Sequence, residues 1–380
     1  MKPIVATKLY GYDWWPVPGG APASAAEAGR AALADALEAA GTTMVLAQNQ
    51  LDPLPASDVG QHAPPAPYSD LALRAALRAR GIRCFESTAM FFHPQDLDRP
   101  GLRPIGADGS AMAPADWYVG LCPSDERYVE ARIALLRRVV IELEADGVFL
   151  SFIRFPGFWE RWTPGVDRSE ITEHCFCPRC RRRFSAQTGA ELPDGARAAA
   201  ALLTGPLRAE WTDWKCAVIT GVVARAREAL REVSADVELM VNIVPFVGPE
   251  FGSLGERLLG QRIESLAAVA DHFEVMVYHQ ILKQSPPDWI PRVVGAVRDR
   301  TERTILPCLQ ARPTYLDGIF AADGRDPEIS AAEFGAAVAA VASSAADGVM
   351  TYHWSDVTGQ DAVSGGAFSA ALRHYGRSER

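Results

Sequence analysis

The chain has 380 residues, 48% hydrophobic and 22% charged, with a net charge of −9. That balance supplies a large buried core. It argues against nucleic acid or an anionic membrane surface as partner, because both reward basic proteins.

No apolar stretch reaches ~18 residues, so no membrane span is expected. The opening MKPIVATKLYGYDWWP lacks the layout of a secretory signal, and the expected compartment is the cytoplasm. Seven cysteines, odd in number and unevenly spaced, do not read as a secreted disulfide framework.

In chain order, short apolar runs alternate with helical patterns. A strand is expected over 3–9 and a helix over 24–40 stopped by Gly41, then a strand over 43–47 and a helix over 69–80 stopped by Gly81. The third strand is expected over 82–88, followed by a long loop and a helix over 124–145 whose Asp125 and Glu126 suit a helix N-terminus. The fourth strand is expected over 147–155. A long helix over 207–233 precedes the fifth strand at 237–244. Further strands follow at 273–278, 304–309 and 348–352, with an alanine-rich helix over 331–346 and a last helix over 367–375. Continuous apolar strands separated by helices predict an α/β fold: one (β/α)8 TIM barrel over 1–380. A homo-oligomer paired through the outer helices is compatible with it.

The turns before some strands repeat: Ala145-Asp146-Gly147-Val148, Ala346-Asp347-Gly348-Val349 and, more loosely, Ala270-Asp271-His272-Phe273. Glycine is expected there to relieve a left-handed turn residue. The longest spacer, 157–206, separates strand four from its helix and reads as an insertion on the C-terminal face.

That insertion carries Cys175-Phe176-Cys177-Pro178-Arg179-Cys180. A C-x-C-x2-C run puts three sulfurs within reach of one soft cation, and zinc takes four such ligands in a tetrahedron. Cys84 and Cys308 fall in strands and Cys216 in a helix. Cys122, in the loop after strand three beside the insertion, is the favoured fourth ligand; His174 is the alternative. Free thiols, a disulfide and an iron–sulfur cluster are the competing readings. Four thiolates leave no open coordination position, so the zinc would be structural, stapling a loop with little core of its own.

Polar and aromatic residues gather at the strand ends, the working face of this fold. Strand one ends in Asp13 and Trp14, strand two in Asn49, strand three in Glu86, and strand four in Arg154, Trp159 and Glu160. Strand five gives Asn242, strand six Tyr278 and His279, strand seven Gln310 and Arg312. Strand eight gives His353, Trp354 and Asp356. Flat Trp and Tyr faces suit sugar rings, while the polar groups suit hydroxyls. Nucleotide-binding glycine loops and the G-x-S-x-G elbow are missing from the sequence.

The stretch from Asp146 to Glu160, DGVFLSFIRFPGFWE, followed by C-F-C-P-R-C, resembles TIM-barrel glycoside-hydrolase-like families that carry D-G-[apolar]-x-L-D-[FY]-I-R, then W-E, then C-x-C-x2-C. With Cys122 upstream, the cysteine layout also resembles the zinc cluster of family 42 β-galactosidases. The resemblance covers about residues 115–185 in detail. It implies a glycoside hydrolase acting on a small carbohydrate, with Glu160 at the W-E position as general acid. Two departures stand out: Ser151 occupies the motif's Asp, and strand seven ends in Gln310 where retaining relatives place Glu. Asp13, Glu86 and Asp356 are the candidates for the second carboxylate that hydrolysis requires. The resemblance leaves open a carbohydrate-binding barrel without catalysis, and a sugar-acid lyase or isomerase that grips a carboxylate with Arg154 and Arg312.

Overall fold

The computed structural model describes residues 2–10, 23–52, 70–168, 171–247 and 253–378. Eight parallel strands pair in chain order, and the last returns to the first to close the barrel. They are β1 (Ile4–Leu9), β2 (Met44–Gln48), β3 (Arg83–Ala89), β4 (Gly147–Ser151), β5 (Glu238–Ile243), β6 (His272–Met276), β7 (Thr304–Gln310) and β8 (Gly348–Tyr352). The expected (β/α)8 TIM barrel is therefore the observed one. Nearly every strand residue is buried, on the core side and on the helix side alike, which is why the strands read as unbroken apolar runs.

The outer layer comprises α1 (Ala23–Ala39), α2 (Leu71–Arg78), α3 (Glu126–Leu143), then α4 (Pro178–Thr188) and α5 (Ala196–Leu203) within the 157–206 insertion, and the long α6 (Arg208–Val233). Two short helices, α7 (Leu254–Arg257) and α8 (Ile263–Ala267), follow β5. The layer is completed by α9 (Pro286–Arg298), α10 (Ala331–Ala342), α11 (Trp354–Ser364) and α12 (Ala367–Arg377). Side-chain caps set several starts: Asp70 accepts from the Leu73 N–H, Asp125 from Tyr128 and Ser330 from Glu333. Gly41 and Gly81 end their helices at φ 81° and 69° as expected.

The repeated turns have a structural meaning beyond turn chemistry. Asp146 accepts a hydrogen bond from the Cys84 N–H, Asp271 from Leu239 and Asp347 from Ile305, each at 2.8 Å; Thr43 Oγ1 does the same for Val5 at 3.1 Å. Each acceptor directly precedes an even-numbered strand, and each donor is the second residue of the odd-numbered strand before it. The acceptor's own N–H returns to the donor residue's carbonyl in all four places. The bottom rim is thus sealed four times by one reciprocal device, which satisfies backbone groups that the staggered strand ends would leave unpaired.

The glycines of these turns answer a different need from the one expected. Gly147 and Gly348 do not have positive φ. A Cβ on Gly147 would stand 2.3 Å from the Phe85 ring, and one on Gly348 would stand 2.4 Å from the Ile4 carbonyl oxygen. Close approach inside the barrel is the requirement.

β4 is shorter than its apolar run. Phe152 turns the chain at φ 51°, and the Arg154 N–H bonds back to its carbonyl, so Ile153 and Phe155 are buried loop residues.

Replacing Asp347 by Ala is expected to lower stability by about 1–3 kcal/mol, because a buried N–H loses its acceptor. Asp347→Asn, which keeps a carbonyl acceptor, should lose clearly less. Urea unfolding midpoints of the two variants check this; an unchanged midpoint for the alanine variant counts against the seal.

Candidate active site

A cavity of about 400 Å³ opens at the C-terminal rim. Lys8 of β1, Asn242 of β5 and Met276 of β6 line its floor, and Ser151, the last residue of β4, joins them. Trp117, Phe152, Trp159 and Tyr315 line its walls. Trp159 is fully buried, with its ring centroid 5.9 Å from Tyr278 and 6.1 Å from Phe246. Trp117 comes from the loop after β3 and donates its indole N–H to the Tyr315 hydroxyl on the loop after β7 at 3.0 Å. Two loops are thereby joined beside the mouth.

Glu160 stands in a 3-10 turn, Trp159–Arg161, at the root of the insertion. Its side chain is buried, and burial pushes its carboxyl up to about 7, with Arg154 and Arg325 pulling only partly the other way. Arg325 holds the backbone here: Nη2 donates to the Glu160 carbonyl at 2.6 Å, Nε to Ile281 at 2.9 Å and Nη1 to Tyr315 at 3.2 Å. The Glu160 backbone is therefore held by the loop after β7 as well as by its own turn.

Several buried polar atoms of the lining residues have no hydrogen-bond partner among the described residues. They are Glu160 Oε2, Arg154 Nε and Nη1, Trp159 Nε1, Ser151 Oγ and Asn242 Oδ1. Buried polar atoms are normally paired, so a cluster of unpaired ones around a cavity marks a ligand site.

At the floor, Lys8 Nζ lies 2.6 Å from Glu274 Oε1, both buried. Burial works against the ammonium, but the Glu274 carboxylate outweighs it and holds Lys8 well above its usual value. The ammonium also sits 5.0 Å from the Phe149 ring centroid and 5.3 Å from that of Tyr352.

Of the residues the sequence nominates, Arg154, Trp159, Glu160, Asn242, Tyr278, Gln310 and Arg312 all line the cavity. Gln310 accepts from the Ile281 N–H at 3.2 Å, and Tyr278 meets Cys308 Sγ at 3.6 Å.

Others do not face it. Glu86, a candidate for the second carboxylate, turns outward to Arg74 of α2, 3.0 Å away. Asn49 is used by its own loop, donating to the Ser87 carbonyl and accepting from the N–H groups of Leu51 and Asp52. His279 is buried against α10, 3.1 Å from Glu333. Asp356, in the first turn of α11, sits 3.0 Å from Arg312 Nε and 3.7 Å from His353, so it holds a lining residue without lining the cavity itself. Burial pushes His353 down to about 3, with Arg312 and Lys8 adding to the effect, so it is a neutral group bonded to Ser355. Trp354 packs in the core. Asp13 and Trp14 lie outside the described residues.

The sequence reading missed Lys8, Glu274, Trp117, Tyr315 and Arg325. The signal for the first two was a charge in the middle of an apolar strand run, once in β1 and once in β6. The others lie on irregular loops, where spacing carries no pattern.

Beside the cavity, Cys122, Cys175, Cys177 and Cys180 bring their sulfurs within 4.8 Å of one another, all buried. Cys122 Sγ lies 3.8 Å from that of Cys177 and 3.5 Å from that of Cys180. Four thiolates at ~2.3 Å from a tetrahedral ion stand about 3.8 Å apart, so the set fits a soft metal ion. The cysteines are unbridged. His174, the alternative fourth ligand, is not in the cluster. The expected partnership of Cys122 with C-F-C-P-R-C is what the fold assembles. A second anchor lies next to it: Glu173 accepts from Arg208 at 2.6 Å, Trp211 at 2.8 Å and Lys215 at 3.1 Å, tying the insertion to α6.

No protein-family model matches this chain, and no curated protein sequence does. Solved structures do. The PgaB (BpsB) glycoside hydrolase domain from Bordetella bronchiseptica superposes with a TM-score of 0.68 at 15% identity, all of both chains being covered. A catalytic mutant of Gan42B, a GH42 β-galactosidase from G. stearothermophilus, gives 0.63 at 12% identity over all of this chain and 58% of that one. Alpha-L-fucosidase isoenzyme 2 from Paenibacillus thiaminolyticus gives 0.57 at 15% over 98% and 49%. At these identities the likeness is one of fold. This chain spans about half to three-fifths of the last two proteins.

Cys122→Ser is expected to drop the bound metal from near one equivalent per chain to a small fraction of that, and to lower the thermal midpoint. Elemental analysis after purification without chelator, with parallel melting curves, measures both. A wild-type chain carrying well under one metal ion would rule out the centre.

Proposed function

We propose that this chain is a glycoside hydrolase acting on short glycosides, with Glu160 as general acid. The observation that carries the reading is Glu160 itself. Among the described residues it is the one buried carboxylate lining the cavity, and burial raises it to about 7 while aromatic rings stand around it. A carboxyl that stays protonated near neutral pH can give its proton to a leaving oxygen as the glycosidic bond breaks. The rings of Trp117, Trp159 and Tyr315 would take the faces of a sugar, and the unpaired polar atoms its hydroxyls. The glycoside-hydrolase names of the structures similar in fold agree with this reading.

The second group is a base for water rather than a nucleophile on β4 or β7, because Ser151 and Gln310 are neutral there. Asp116 and Asp317, exposed carboxylates on the cavity lining, are its candidates together with Asp13. Hydrolysis would proceed by proton transfer from Glu160 to the leaving oxygen while the base takes a proton from the attacking water. The four-cysteine centre is taken as structural zinc held by Cys122, Cys175, Cys177 and Cys180, with no coordination position left for substrate.

A binding-only barrel is the second reading. Its support is Gln310, whose amide braces Ile281, Gln280 and Thr314.

Glu160→Gln is expected to cut turnover of glycosides with poor leaving groups by about 10²–10⁴-fold, and that of dinitrophenyl glycosides far less, because those leave without a proton. The protonated form is the active one, so wild-type activity should fall as pH rises through about 7, and this limb should vanish in the variant. Rate–pH profiles on a panel of aryl glycosides test it. Unchanged turnover in the variant removes Glu160 from the mechanism, and no turnover of any glycoside by the wild type favours the binding-only reading.

A further inference from the structure

The charges around the cavity are unevenly matched. Among the described residues three cations line it: Lys8, Arg154 and Arg312. Lys8 is paired with Glu274 at 2.6 Å, and Arg312 with Asp356 at 3.0 Å. Arg154 is different. It is 2% exposed, its guanidinium lies 5.1 Å from the Phe152 ring centroid, the Tyr118 hydroxyl that it meets is neutral, and neither Nε nor Nη1 has a hydrogen-bond partner among the described residues. The carboxyl that acts on it is Glu160, the residue that must carry a proton to serve as acid. The other lining carboxylates, Asp116 and Asp317, are exposed and screened by solvent.

Arginine cannot shed its charge, and a buried charge without a partner is costly. When Glu160 is protonated, no buried carboxylate among the described residues that line the cavity answers the Arg154 charge. Ser151 and Gln310, which also line the cavity, are neutral and do not repel an anion.

We propose that the cavity takes a glycoside that itself bears a carboxylate, a sugar of the uronic-acid class, with Arg154 as the partner of that carboxylate. The inference rests on the glycoside reading above and narrows its substrate. A planar carboxylate suits a guanidinium better than a hydroxyl does. Such a ligand would also place a negative charge near Glu160 and keep its proton in place until the leaving oxygen takes it.

The test is titration of the wild-type chain at pH 6 with D-glucuronate, D-galacturonate, D-glucose and D-galactose, read by tryptophan fluorescence and calorimetry. Arg154→Gln, Arg154→Lys and Arg312→Gln are titrated in parallel, with p-nitrophenyl glucuronide and glucoside as hydrolysis substrates. A uronate should bind about tenfold or more tighter than its neutral parent, as expected for a hydrogen bond to a charged group. The preference should disappear in Arg154→Gln, return in part in Arg154→Lys and survive in Arg312→Gln. Equal or tighter binding of the neutral sugars by the wild type overturns the inference and leaves the hydrolase reading intact. The wild-type comparison decides this even where a variant fails to fold. A preference that persists in folded Arg154→Gln, or is lost only in Arg312→Gln, overturns the assignment to Arg154. Selective uronate binding with no hydrolysis of either aryl glycoside supports the inference while removing the hydrolase reading.

Discussion

Eight parallel strands closed into a barrel leave no free edge, so every group that meets a ligand stands on one of two rims. The closure here is tight enough that glycine is required where β4 and β8 begin, because a single added carbon would strike Phe85 or the Ile4 carbonyl. The four reciprocal bonds from Thr43, Asp146, Asp271 and Asp347 finish the lower rim and leave its strand ends satisfied. The upper rim is open to variation, and the long irregular segments of the chain collect there.

A rim rich in charged residues is not the same as a rim rich in reactive ones. Most titratable groups near this mouth have a fixed partner: Glu86 has Arg74, Asp356 has Arg312, His279 has Glu333 and Lys8 has Glu274. Pairing in a poorly solvated region ties down the geometry of each. Glu160 is set apart because burial acts on it without a bonded cation to undo the effect. The difference between a positioning carboxylate and a candidate acid is therefore made by neighbours far away in the chain.

That distance also explains what could be read from the sequence. The barrel was legible because each strand is buried on both faces, and the cysteine centre because thiols at C-x-C-x2-C spacing have few other uses. Cys122 could be chosen because chain order puts its loop beside the insertion. The lateral groups of the site were legible only as a crowd at the strand ends. Which of them face the cavity depends on side-chain direction, and a turn such as that at Phe152 resets it without a signal in composition. Lys8 and Glu274 are far apart in the chain, and nothing local couples them. The helix α9 was hidden by Pro286, Pro287 and Pro291; the first two occupy its opening turn, where prolines cost little. The helix α11 is hidden because it begins at Trp354, only two residues after β8 ends, so its first residues read as part of the strand end.

The position of Glu160 finally connects scaffold to chemistry. An acid on a strand is held by the sheet, but this one sits on a turn at the base of an insertion of about fifty residues, and a loop of that length does not hold a side chain by itself. Three devices share the task. The cysteine centre gathers the far part of the insertion onto the loop after β3, which is also joined to it by the bond from the Phe176 N–H to the Ile105 carbonyl. Glu173 fixes the same segment to α6 through Arg208, Trp211 and Lys215. Arg325 reaches across from the loop after β7 and holds the Glu160 carbonyl directly. The thiols thus stand outside the proposed reaction, yet they belong to the apparatus that keeps a buried carboxyl in place, and a proton donor would work only within hydrogen-bond reach of the oxygen it serves.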